Sequence, residues 1–187
     1  MIKIIGPKNK ESNYINTTSR STNWSKGLSP FYLGPVKLYD YYEAQNVENA
    51  WQYSKVYSKY ANENGPTEDY FIWAIYGWNS KQAHRYPMGK GTKPLYSYWN
   101  GEKLNYIEAR KKIYIPLYSK AVAKSDAYNK LKEIYNNEGT VVLWDFDGYD
   151  HHALNMTYDD VVNCPTKKMG HAFVLAMMLD NKIGLTL

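Results

Sequence analysis

The chain has 187 residues, 44% of them apolar, and carries 20 Tyr and 6 Trp; it is long enough to bury one sizeable core, which excludes a wholly disordered chain. Its formal charge of +5 suits phosphate-bearing partners, but the basic residues are spread along the sequence rather than gathered in one run. The single Cys164 excludes an intrachain disulfide, Met1-Ile-Lys-Ile-Ile-Gly lacks the apolar length of a secretion signal, and no window reaches the ~18 apolar residues of a membrane span. The expectation is a cytoplasmic protein without membrane contact.

Residues 11–27 are rich in Ser, Thr and Asn and read as a loop, so that 1–27 form an N-terminal arm ahead of a domain at 28–187. Their hydroxyls and amides can serve a ligand or simply make turns. Residues 35–39 read as a strand. Residues 46–62 read as a helix stopped near Asn64-Gly65-Pro66, and Glu68–Trp78 as a second helix ending near Gly77. Arg85 to Gly101 is a loop interrupted by Gly and Pro. The helical pattern from Asn105 to Ala123 contains Pro116, which predicts a kink or break. Ser125-Asp126 caps a further helix to Asn137 that Gly139 terminates. Val141–Phe146 reads as a strand, and Lys168–Leu179 as a closing apolar helix from Met169-Gly170. These elements make a mainly helical α+β single domain with a small sheet.

Three groupings carry candidate chemistry. On the 46–62 helix, steps of four and three residues place Glu48, Gln52 and Lys55 on one face, with the acid and the amine about 10 Å apart along the axis. The same spacing suits a solvated face. Gly89-Lys90-Gly91-Thr92-Lys93 brings two glycines and two lysines together, so its amides can approach phosphate oxygens, although the P-loop spacing is missing and a plain turn has the same composition. Trp144-Asp145-Phe146-Asp147-Gly148 has the Asp-x-Asp-Gly form of a phosphatase nucleophile motif, but too little chain follows it for such a fold. Of Asp145, Asp147, Asp150, His151 and His152, adjacent residues on a strand point to opposite faces and only some could share one ion, and neither a metal nor a cofactor is expected.

Leu28-Ser-Pro-Phe31, the strand Pro35–Leu38, Val47-Glu48-Asn49 and Gln52-x-x-Lys55 together resemble the NADAR family, which includes riboflavin-biosynthesis-intermediate N-glycosidases. The family pattern has Asn at Pro30, Ser at Val47 and His at Asn49; the Glu and the Lys are retained. Ala83-His84-Arg85, Gly89-Lys90 and Trp99 take the places of a central phrase more loosely. Trp144 to Gly148 and Lys168-Met169-Gly170 with the following apolar run resemble the C-terminal phrases, so the likeness spans about 28–179.

The resemblance implies a NADAR-like fold and a hydrolase of N-glycosidic or ADP-ribosyl bonds, acting on a nucleotide-derived or ADP-ribosylated substrate, free or within nucleic acid. Its transition state carries oxocarbenium charge. Glu48 would stabilise that charge or activate water, and Lys55 would protonate the departing base, pair with phosphate or attack an opened sugar aldehyde. Asp145 joins them as the third catalytic candidate. Ser29, Phe31, Gln52, Arg85, Gly89, Lys90, Trp99, Trp144 and Asp147 are the candidate substrate-binding residues. A non-catalytic module that binds ADP-ribose, nucleotide or nucleic acid through the same groups is the alternative.

Overall fold

A computed structural model describes residues 1–183. Its strands are β1 (Ile2–Ile5), β2 (Ile15–Asn16), β3 (Val36–Lys37), β4 (Glu43–Ala44), β5 (Lys55–Val56), β6 (Ala61–Asn62), β7 (Gly65–Pro66), β8 (Tyr96–Trp99), β9 (Glu102–Leu104) and β10 (Val141–Trp144). Its α-helices are α1 (Val47–Gln52), α2 (Glu68–Asn79), α3 (Tyr106–Ala109), α4 (Ile115–Val122), α5 (Asp126–Glu138), α6 (Tyr158–Asn163) and α7 (His171–Leu179). With 41% of residues helical and 15% in strands, the architecture is α+β and mainly helical. Among the described residues, no helix is long and apolar enough to cross a membrane.

The apolar run Val141–Trp144 is the middle strand of a parallel sheet ordered β1-β10-β2, with Ile2 opposite Val141 and Leu143 opposite Ile15. Alternate residues of β10 face the core, where Val141 and Leu143 are buried. Helix α7 packs on this sheet and on α4. Ala172 to Met177 are all buried, so this helix is apolar on every side and forms the centre of the main core. The segment 1–27 is thus built into the domain rather than appended to it: β1 and β2 flank β10, and a 3-10 turn at Trp24–Leu28 packs on α5.

A second core is aromatic. Tyr39, Tyr53, Tyr57, Tyr60, Tyr70 and Trp78 are buried in it, and Trp73 contacts several of their rings. Much of the high tyrosine content is therefore structural.

The helix expected over 46–62 is shorter. Asn46 caps it, its side chain accepting from the Asn49 amide at 2.8 Å, but α1 stops at Gln52. Ser54 donates its hydroxyl to the Trp51 carbonyl, a local bond that competes with helix propagation. The chain then turns, and Lys55-Val56 pairs antiparallel with Ser97 and Tyr96. Val56 and Tyr57 favour that extended state.

The run from Asn105 to Ala123 stays helical through Pro116. Arg110–Tyr114 widens into a π-helical turn in which the Ile115 amide donates to the Arg110 carbonyl. That wider turn absorbs the hydrogen bond that proline cannot make. Helix α5 begins and ends as its sequence predicts: Ser125 accepts from the Tyr128 amide at 3.1 Å, and Gly139 closes it in the left-handed conformation at φ 69°.

Candidate functional site

The first turn of α1, the start of β5, the end of β10 and the loop entering α7 meet around a cleft of about 310 Å3. Glu48 enters from the first turn of α1 and is only 6% exposed. The turn at Ser29–Leu33 is fastened to the same helix end, because the Glu48 amide donates to the Pro30 carbonyl and the Val47 amide to that of Leu33. This brings Ser29 and Phe31 onto the wall beside the carboxylate.

Gln52 joins the acid to the amine. Its Nε2 donates to Glu48 Oε1 at 2.9 Å, while its Oε1 accepts from Lys55 Nζ at 2.7 Å. Lys55 also lies over the Trp51 ring, 4.9 Å from its centroid. Burial pushes the Glu48 carboxyl above its usual range, opposed by the Gln52 hydrogen bond and by Lys55, Arg85 and His171. Burial likewise lowers the Lys55 ammonium to about 8; Glu48 opposes this, and the positive charge of Lys168 adds to it. Both groups are thereby brought closer to neutrality at physiological pH than free side chains would be.

Asp145 reaches the cleft, but its hydrogen bonds are spent on protein groups. Its Oδ2 lies 3.1 Å from His171 Nδ1 and accepts the Ala172 amide at 3.1 Å; its Oδ1 accepts the Asp147 amide at 3.3 Å. This carboxylate caps α7, whose own N-cap is Gly170 and supplies no side chain. A Cβ on Gly170 would come within 2.1 Å of Asp145 Oδ2, so the approach requires glycine there. His171 is held from its other side by the Thr17 carbonyl, 2.8 Å from Nε2.

Asp147 lies on the rim, paired with Arg85 at 3.3 Å and Lys168 at 3.8 Å. Glu48, Gln52, Lys55, Ser29, Phe31, Arg85, Gly89, Asp145 and Asp147 thus share one cleft. Three candidates do not join them. Lys90 is exposed on a turn outside the lining, where Gly89 and Gly91 adopt φ of 92° and 91°. Trp99 packs edge-on against Tyr39 at 4.9 Å in the aromatic core. Trp144 stacks with Tyr14 and contacts Phe146 edge-on at 4.9 Å. Its ring is thus engaged by Tyr14 and Phe146, and it is not part of the cleft lining.

Sequence reasoning missed Trp51, Arg110, Tyr114, Lys168 and His171, which also line the cleft. Arg110 had a signal: it lies in a helical pattern on the side of the apolar Ala109, Ile113 and Tyr114, all buried. It is 1% exposed and donates to the carbonyls of Val161, Val162, Cys164 and Lys167, tying down the chain that leads to Lys168. Asn49 was read only as a departure from a motif. Its side chain holds the loop before Arg85, donating to the Ser80 and Gln82 carbonyls and accepting from the His84 amide.

No curated protein and no solved structure matches the chain. A family model does match over residues 3–158, and on that extent the chain belongs to the family of unknown function DUF6939.

Proposed function

We propose that this cleft hydrolyses an N-glycosidic bond in a nucleotide-derived or ADP-ribosylated substrate, as the resemblance to the NADAR family implies. The observation that carries the reading is the hydrogen-bonded Glu48–Gln52–Lys55 chain, which puts an acid and an amine of altered pKa on one wall of the cleft. A cytoplasmic location suits such a substrate, whether it is free or borne on nucleic acid.

In this reading Glu48, as carboxylate, faces the anomeric carbon and stabilises the positive charge that grows as the bond to the base breaks. Lys55, as ammonium, gives its proton to the departing base nitrogen. Water adds its hydroxide to the anomeric carbon and its proton passes to Glu48, so that exchange with solvent restores both groups. Trp51 offers a flat apolar face next to the amine, and Asp147 can accept from a ribose hydroxyl.

The test is release of guanosine and ADP-ribose from ADP-ribosylated guanosine, followed by chromatography, in the wild type and in E48Q and K55A. Each substitution is expected to lower kcat by roughly 10²–10⁴-fold with the thermal transition retained. Wild-type rates in both variants would remove the assigned roles. ADP-ribose bound tightly by a protein that cleaves none of the ADP-ribosylated guanosine would instead identify a binding module.

A further inference from the structure

The Ser/Thr/Asn-rich segment before residue 28 spends most of its side chains on itself. Thr18 Oγ1 donates to Asn16 Oδ1 at 2.8 Å and accepts the Arg20 amide at 3.3 Å; Ser21 and Ser25 are bonded to each other and to Asn23. The loop these bonds shape lines the cleft with Thr18 and Ser19, and it sets Arg20 against Phe146, the next wall residue. The Arg20 guanidinium carbon is 5.1 Å from the Phe146 ring centroid, and that of Arg85 is 5.2 Å from the same centroid.

Around this ring, Arg85 and Lys168 share a single carboxylate, and Arg20 has none among the described residues. Asp147 pairs with Arg85 and Lys168, the neighbouring Asp145 is directed to His171, and among the described residues no carboxylate pairs with Arg20. This rim therefore carries an excess of positive charge, while the deep wall carries Glu48. A guanidinium resting on an aromatic ring keeps its N–H edge free for a bidentate acceptor, and phosphate is the acceptor that fits it best.

We infer that Arg20, on the Phe146 side of the cleft mouth, is the unpaired arm that takes up the phosphate of the substrate whose anomeric carbon faces Glu48. The inference rests on the glycosidase reading for the placement of the sugar, but not for the phosphate contact itself. Arg20 acts in it as a specificity residue: it sets which sugar is held and takes no part in breaking the bond.

Calorimetric titration of D-ribose 5-phosphate, D-ribose and inorganic pyrophosphate into the wild type, R20A and R20Q tests it. The wild type should bind ribose 5-phosphate at least about tenfold more tightly than ribose, consistent with one charge-assisted contact. Both variants should lose most of that preference, weaken pyrophosphate equally and leave ribose unchanged. Arg20 is exposed, so neither substitution disturbs the core. Equal affinity of wild type and variants for ribose 5-phosphate overturns the subsite, as does a wild type that binds neither phosphate compound. Pyrophosphate binding that depends on Arg20, in a protein that does not cleave ADP-ribosylated guanosine, supports the subsite and overturns the glycosidase reading instead.

Discussion

Gln52 has no titratable group, yet it fixes how the site is charged. An amide can donate to a carboxylate with one end and accept from an ammonium with the other, and these are the bonds it makes to Glu48 and Lys55. The pair is thus linked without direct ion contact, and each partner keeps a hydrogen-bonding edge for a ligand. For a reaction that uses Glu48 ionised and Lys55 protonated, kcat/KM should rise at a pH above the ordinary carboxylate range, because burial raises Glu48. It should fall again near pH 8, where the buried Lys55 loses its proton. Lys55→Arg tests the second limb: a guanidinium does not deprotonate in this range, so the variant, slower at its optimum, should show no fall up to about pH 10. A limb that stays near pH 8 in Lys55→Arg would assign that titration elsewhere.

At the scale of elements, the helices were legible wherever period and caps coincide. Ser125 and Gly139 bracket α5 closely, and Glu68–Asn79 forms almost as its pattern predicts. Lys55 was misplaced because its conformation is decided by a partner about forty residues away: nothing within Gln52–Tyr57 announces that Ser97 and Tyr96 will pair with it. Trp99 and Trp144 were misread for a related reason. A chain so rich in Tyr and Trp satisfies its aromatic residues against one another, and composition cannot say which ring is left for a ligand. Asp145 lines the cleft, but its role as a cap was not legible, since Ala172 and His171 come from a distant helix. That cap makes a coupled prediction. Gly170→Ala drives a methyl into Asp145 Oδ2 and should cost about 1–3 kcal/mol in denaturant unfolding. Introduced beside Asp145→Ala, where the clash has no partner, the same substitution should cost much less; additive losses would show that the two residues act independently.

At the scale of the molecule, the site depends on the N-terminal segment as much as on residues 28–187. The strand whose end supplies Asp145 and Phe146 lies between β1 and β2, both contributed by residues 1–27. Ile2, Ile4 and Ile5 are buried, and each is worth about 1.5–3 kcal/mol of burial. Lost together with the β1 ladder, they approach the roughly 5–15 kcal/mol by which whole domains are stable. The same segment carries Thr17, whose carbonyl holds His171, so removing it loosens the cleft wall as well as the sheet. A chain of residues 28–187 should therefore show no cooperative thermal transition by circular dichroism, whereas full-length Ile4→Ala should melt cooperatively, destabilised by about 2–5 kcal/mol. A sharp transition in the shortened chain would mean that α7 and its partners form a self-sufficient core, and that the first two strands serve the cleft alone.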